Sequence, residues 1–192
     1  MKKFGIIWTI VIMSAVIMGF VATSFAEPMW KKRVKGKLPE MQSWASNKVV
    51  VEAVKNENAK NKSLADIKAM DQKWKSSKGI PDFIKNFLTN ECGQYLTKVK
   101  KENSFVGEIF VMDNKGAIVA ESDKTSDYWQ GDEDKWQKSF NGGNGQVFID
   151  KREYDRSSGI YMSQISIPVL DENKKTIGAM TIGCKLSRKH YK

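Results

Sequence analysis

The residues best suited to binding a small molecule are concentrated in residues 126–136. Aromatic rings supply the apolar wall of a ligand pocket, and a few charged groups fix the orientation of the ligand. The segment concentrates aromatic and charged side chains, among them Tyr128, Trp129, Asp132, Asp134, Lys135 and Trp136. Trp129 and Trp136 are also two helical turns apart, a spacing typical of residues that anchor a helix to a core. The sequence therefore leaves two roles open for this segment, ligand contact and packing.

The groups that enzymes and metal sites need are scarce. The single histidine, His190, is close to the C-terminus, so the predicted domain offers no histidine as the base for a Ser or Cys nucleophile. The stretch "NGGNG" precedes a predicted strand, whereas a phosphate-binding loop precedes a helix. Residues 132–134 are acidic but lack EF-hand spacing, and we expect them to begin a helix. We therefore predict that the protein is not an enzyme and has no metal and no cofactor.

The two cysteines, Cys92 and Cys184, both lie at positions that are predicted to face a core. A disulfide between them is compatible with an oxidising compartment. Two buried free thiols that pack as small hydrophobic groups are equally compatible. The sequence does not decide between these two states.

Residues 1–26 have the layout of a secretory signal peptide. Lys2 and Lys3 precede an uncharged apolar run over residues 4–22, and Ser24-Phe25-Ala26 places small residues before a cleavage position. The run is long for a signal peptide, so an uncleaved membrane anchor is the alternative. In both cases we expect a periplasmic or otherwise extracytoplasmic protein.

The net charge is strongly positive, at +10 for the 192 residues. Inside a cell such a charge would suggest nucleic acid as a partner. For an exported chain we expect no nucleic acid, and the charge serves solubility or attraction to an anionic surface or ligand.

The first half of the chain has helical periodicity. Met41, Trp44, Ala45 and Val49 share one face of a predicted helix that runs to about residue 56. Ser63 and Asp66 form a capping box before a second helix. Pro81 fits the start of a third helical region, which continues to residue 99 and is interrupted at most at Gly93. Residues 27–37 are basic and are expected to be irregular.

The second half has the patterns of strands. We predict strands over residues 106–112, 117–120, 146–149, 160–169 and 176–186, with a turn at 113–116 and a short helix within 132–140. Helices followed by consecutive strands are typical of an α+β domain. A five-stranded antiparallel sheet preceded by a long N-terminal helix and further helices is therefore expected.

Four stretches together resemble the Cache domains, also called PDC domains, which are PAS-like extracytoplasmic sensors of chemoreceptors and histidine kinases. "ASNKVVVEAVKNEN" is similar to their opening helix, and "GEIFVMDNKGAIVAES" to their first hairpin. "SDYWQGDEDKWQKSF" resembles the loop and helix that cover the ligand pocket, and "YDRSSGIYMSQISIPVLDENKKTIGAMTIG" resembles the last two strands. The resemblance spans about residues 39–186. It lacks the full arginine–tryptophan–tyrosine pattern of the amino-acid-binding members.

The resemblance implies a ligand site between the 126–136 segment and the fourth predicted strand. Its members would be Tyr128, Trp129, Asp132, Trp136, Arg152, Tyr154, Asp155, Tyr161 and Gln164. By analogy with Cache pockets, Trp136 and Tyr128 would stack on the ligand and Asp155 would bind an amine. The implied ligand is a small molecule of the amino acid, amine or carboxylate class.

The resemblance also implies a division of the chain and a partner. We predict a signal peptide or anchor at 1–26, a basic linker at 27–38, a sensor domain at 39–187 and a tail at 188–192. The sequence contains no kinase, cyclase or methyl-accepting module, so a membrane receptor or kinase is the expected partner. The alternative is a protein-interaction module without a ligand, forming a homodimer through the apolar face of the N-terminal helix.

Overall fold

The computed structural model describes residues 27–155 and 160–186. The predicted signal peptide or anchor, the 188–192 tail and His190 lie outside these residues. The helices are α1 (Met29–Gly36), α2 (Leu38–Ala45), α3 (Lys48–Ala59), α4 (Leu64–Ser76), α5 (Asp82–Thr89), α6 (Glu91–Glu102) and α7 (Asp134–Phe140). Across the described ranges, none of these helices has the length and apolar character needed to cross a bilayer.

The strands form one antiparallel sheet. They are β1 (Val106–Met112), β2 (Ile118–Glu121), β3 (Phe148–Ile149), β4 (Glu153–Asp155), β5 (Ile160–Leu170) and β6 (Thr176–Leu186). The strand order is β2-β1-β6-β5-β3, and the short β4 pairs with β5 as well. This arrangement confirms the predicted α+β, PAS-like fold.

The two faces of the sheet have different cover. Alternate residues of β1, β5 and β6, such as Val111, Ile165 and Ile182, pack against α2, α3 and α6 in the main core. We call this the helix side. The opposite face, which we call the cavity side, carries Phe110 and Met112. Part of the cavity side is covered by α7, which packs on β5 and β6.

The helix breaks in the structure follow capping residues. The predicted helix from Met41 to about residue 56 is two helices, because Asn47 is the N-cap of α3 and its side chain accepts the N–H of Val49. The third helical region breaks at Asn90, which accepts the N–H of Gly93, and Gly93 itself is helical. The Ser63 cap is confirmed, since its hydroxyl accepts the N–H of Asp66.

Two local expectations were wrong. Residues 29–36 form α1 instead of irregular chain, because Val34 on that helix is buried in the main core and Trp30 packs against it. The sheet also has one strand more than the predicted five, since residues 153–155 pair with the start of β5.

The apolar face of the N-terminal helices is not available to a second copy. Met41 and Ala45 are buried within the domain, as are Val50 and Val54 of α3. This face packs on the helix side of the sheet, so a homodimer formed through it would require the main core to open.

Candidate functional site

A cavity of about 730 Å³ lies on the cavity side of the sheet, beside α7. Its volume is within the range of about 300–1,000 Å³ that small-molecule sites occupy. The sheet contributes Glu108, Met162 and Gln164, and the segment between β2 and α7 contributes residues 123–126. The chain around β4 closes another side, with Asp150 and Tyr154 among its lining residues. We call this space the sheet cavity.

Gly183 of β6 has no side chain, which allows two polar side chains to meet on the surface of the sheet that faces the cavity. We call this surface the floor of the sheet cavity. Glu108 and Gln164 are both paired with Gly183, one from each side. The amide Nε2 of Gln164 donates to Glu108 Oε1 at 2.9 Å. A Cβ at Gly183 would lie 2.6 Å from Cγ of Glu108 and 2.9 Å from Cε of Met162. Glycine is therefore needed at this position for the Glu108–Gln164 contact.

The charges that line the sheet cavity are of both signs, and most of them are paired. Lys135 lies 2.8 Å from Glu133, and Lys151 lies 2.8 Å from Glu153. Glu108 differs, because no lysine or arginine of the described ranges lies within ion-pair distance of its carboxylate. Among the described residues, the side-chain hydrogen bond to this carboxylate comes from the neutral amide of Gln164. A carboxylate of this kind suits a ligand ammonium group.

The segment of residues 123–129, of which residues 123–126 line the sheet cavity, is anchored to the hydrophobic layer formed by α4 and α5. Asp71 Oδ1 accepts the N–H groups of Tyr128 at 2.9 Å and Trp129 at 3.1 Å. The indole of Trp74 donates to the carbonyl of Thr125 at 2.9 Å. These bonds hold the segment against α4.

The carboxyl group of Glu121 is buried next to the part of this segment that lines the sheet cavity. Glu121 is fully buried on the cavity side, and its Oε2 accepts the N–H and the hydroxyl of Thr125, both at 2.9 Å. Burial raises the pKa of Glu121 to about 7, against the lowering effect of the Thr125 bonds. Glu121 therefore changes charge near neutral pH, and the residue it holds lines the sheet cavity.

The aromatic residues of the 126–136 segment do not line the sheet cavity. Tyr128 is buried between Trp74 and Phe87, with ring centroids 5.6 and 5.5 Å away. The indoles of Trp129 and Trp136 donate to the carbonyls of Lys115 and Asp113, respectively, in the β1–β2 turn. Asp132 is exposed and is not a lining residue. In the structure these three aromatic side chains pack against other elements, and ligand contact by them stays a prediction.

The remaining candidates lie around β4 and β5. Tyr154 and Gln164 line the sheet cavity. Tyr161 packs edge-on against Tyr154 at 5.1 Å, and the guanidinium carbon of Arg152 lies 4.3 Å from the Tyr161 ring centroid. The backbone of Asp155 pairs with Ile160, and its side chain lies outside the described part of the structure. Ligand contact by these residues stays a prediction.

Sequence reasoning predicted Gln164 as a site residue but missed Glu108, its partner on the floor of the sheet cavity. Glu108 is the one charged residue in β1, at a position that alternates with Phe110 and Met112. A lone carboxylate among β-formers was a detectable signal. Lys124 and Lys185, which also line the cavity, had no such signal because many lysines are scattered along the chain.

The cysteines are free in the structure. Cys92 and Cys184 are both buried in the main core. Burial raises the pKa of each thiol to about 12, so both are poor nucleophiles. Within residues 27–155 and 160–186, no group of three or more His, Cys, Asp or Glu side chains is arranged to hold a metal ion.

Comparisons with known proteins found likenesses of fold only. No family model and no curated protein matches the chain. The sensory domain of the Campylobacter jejuni chemoreceptor Tlp3 with isoleucine bound is similar at 15% identity and a TM-score of 0.38, over 84% of this chain and 64% of that one. A domain of a sensory box/GGDEF family protein from Vibrio parahaemolyticus has 9% identity and a TM-score of 0.47, over 81% and 54%.

The sensor domain of the V. cholerae histidine kinase DctB has 15% identity and a TM-score of 0.36, over 81% of this chain and 58% of that one. The chain thus spans between half and two thirds of the length of these solved structures.

Proposed function

We propose that this chain is an extracytoplasmic sensory domain that binds a small ligand with an ammonium group, of the amino acid or amine class, in the sheet cavity. The observation that carries this proposal is Glu108. Its carboxylate lies on the floor of a cavity of about 730 Å³ and is bonded to a neutral amide. A charge-assisted hydrogen bond from a ligand ammonium would satisfy the remaining acceptor capacity of this group.

The other end of such a ligand would meet positive charge. Lys185 is on β6, two residues beyond Gly183, and lines the sheet cavity together with Lys124. Lys124 donates to the carbonyls of Ser77 and Gly79, which hold it at the wall. An α-amino acid would place its ammonium at Glu108 and its carboxylate toward these lysines, whereas a simple amine would use Glu108 alone.

The proposed cellular setting follows from the sequence. Export through residues 1–26 would place the sensory domain outside the cytoplasm, cleaved or anchored. A membrane receptor or kinase would then read the ligand-bound form. Fusion of residues 1–26 to a reporter enzyme that is active only after export tests this setting independently of ligand binding.

The ligand proposal is tested by a thermal-shift screen of residues 27–192. Amino acids, amines, carboxylates, nucleobases and divalent metals are compared. A ligand at about 100 times its Kd adds roughly 2.7 kcal/mol to the free energy of unfolding when it binds only the folded state. We expect shifts from compounds with an ammonium group and none from carboxylates that lack one.

Three variants locate the site. Glu108→Gln keeps the shape of the side chain and removes its charge, so the shift should disappear. Glu172→Gln removes a carboxylate of the β5–β6 turn that pairs with Lys55, and the shift should remain. Asp155→Asn tests the amine contact that the resemblance implies. A screen without any shift, or a shift that persists in Glu108→Gln, would contradict the proposal.

A further inference from the structure

A second cavity, of about 490 Å³, lies between α1 and the end of β6. We call it the α1 cavity. Its lining is mostly apolar and includes Trp30, Val34, Met41, Phe105 and Leu186. The volume suits a small ligand, and nothing in the function proposed above uses this space.

The charged groups that line the α1 cavity are all positive. Arg33, Lys37 and Lys185 line it, and the described lining contains no acidic residue. The Nζ of Lys37 donates to Glu40 at 2.9 Å and lies 4.9 Å from the Phe105 ring centroid, so this ammonium stands beside the apolar lining. Two further lysines of α1, Lys31 and Lys32, add to the positive field around the cavity, whereas Lys35 is paired with Glu27.

This combination selects among occupants. A peptide segment would bury backbone N–H and C=O groups against apolar side chains, which is costly without hydrogen-bond partners. An uncharged apolar molecule would make no use of the cations. An alkyl chain that ends in an anion satisfies both parts, because its chain is buried and its head meets positive charge at the edge.

We propose that the α1 cavity binds a fatty carboxylate, with the alkyl chain against Trp30, Val34 and Leu186 and the carboxylate near Lys37. This site is separate from the sheet cavity. Lys185 lines both cavities, so Lys37 is the better position at which to test the charge.

The experiment uses the full-length chain and a decanoate that carries a photoreactive diazirine at the end of its alkyl chain. After irradiation, peptide mass spectrometry identifies the labelled residues. We expect labels within residues 29–41, at 105 or at 184–186, and competition by unlabelled decanoate. Probes with the same chain and an alcohol or trimethylammonium head should label less, as should decanoate on Lys37→Gln.

Gly36 offers a matched pair of variants. It lines the α1 cavity, and a Cβ added there meets no atom within 4 Å. Gly36→Trp therefore fills open space without displacing the backbone, and it should reduce labelling about tenfold or more, equivalent to roughly 1.4 kcal/mol of binding free energy. Gly36→Ala changes the volume of the α1 cavity little, so this variant should be labelled to the same extent as the parent chain.

Three results would overturn the proposal. The first is labelling confined to residues 1–26 or unaffected by unlabelled decanoate, which shows partition into the apolar run. The second is equal labelling by the alcohol probe, which removes the role of the cations. The third comes from a variant with a benzophenone side chain at position 36. If it crosslinks to residues 1–26, to residues 187–192 or to a second copy, protein already fills the cavity. The probe series on the parent chain keeps the test decisive if Gly36→Trp does not fold.

Discussion

Replacing Glu121 by glutamine is expected to make the stability of the protein less dependent on pH. The carboxyl group of Glu121 is fully buried, and its pKa is raised from 4.5 to about 7, chiefly by desolvation. Among the described residues, Oε1 has no hydrogen-bond partner, so nothing nearby stabilises the ionised form on that side. The folded state therefore holds a proton that the unfolded chain releases.

The magnitude follows from this difference. A pKa that differs by one unit between two states corresponds to about 1.36 kcal/mol, so the rise from 4.5 to about 7 amounts to roughly 3 kcal/mol. Because the folded pKa is above the unfolded one, this contribution is present below pH 4.5 and is lost as the pH rises to about 7. Glutamine does not titrate, and its carbonyl can still accept the two Thr125 bonds.

The assay is urea unfolding of residues 27–192, followed by circular dichroism, at pH values from 4.5 to 8.5. The free energy of unfolding of Glu121→Gln relative to the parent should rise with pH by up to roughly 3 kcal/mol and level off above pH 7. Glu153→Gln removes an exposed carboxylate and serves as the control. Its free energy of unfolding relative to the parent should vary by less than about 1 kcal/mol over the same pH range. A relative stability of Glu121→Gln that is flat across the pH range would refute the reasoning.

Three further outcomes are expected. Gly183→Ala should push Glu108 off the cavity floor, cost about 1–3 kcal/mol of stability and abolish the thermal shift by ammonium ligands; an unchanged shift would contradict the floor geometry. Trp136→Phe should lower the free energy of unfolding by about 1 kcal/mol, because one hydrogen bond is lost, and should leave the ligand affinity unchanged. A large loss of ligand affinity would instead indicate that Trp136 contacts the ligand. Cys92 and Cys184 should react with Ellman's reagent only once the chain is unfolded, and no reductant should be needed. If the unfolded chain shows no free thiol in the absence of reductant, the two cysteines form a disulfide.

The strands were the most predictable part of the fold. The bounds of β1 and β6 were predicted as 106–112 and 176–186, and they are found there. Both strands combine a run of β-formers with a turn signal at one end. The Asp113 turn shows why such signals are reliable, since its Oδ1 accepts the N–H groups of Lys115 and Ala117 locally.

Helix bounds were less predictable, because several depend on a single side chain or on distant packing. Asn47 and Asn90 break helical stripes whose apolar spacing continues across them. α1 has a basic, polar sequence, and Val34 joins the core only because the rest of the domain provides a place for it. Helical stability in proteins comes largely from such tertiary packing.

The candidate site shows the same division. The resemblance predicted that residues 126–136 cover a ligand pocket, but the sequence could not assign the direction of each ring. Asp71 and the β1–β2 turn take up the backbone and the indoles of this segment. Those partners are distant in sequence, so local patterns could not predict the direction in which the rings pack.

Local patterns in the sequence predicted the class of fold, five of the six described strands, and the positions that alternate between the two faces of the sheet. These depend on local periodicity and turn chemistry, which act over a few residues. The tertiary structure was needed to show that Gly183 brings Glu108 and Gln164 together, because these two residues are 56 positions apart in the chain and meet across β6. It also decided the protonation of Glu121, since desolvation depends on everything that packs around a group.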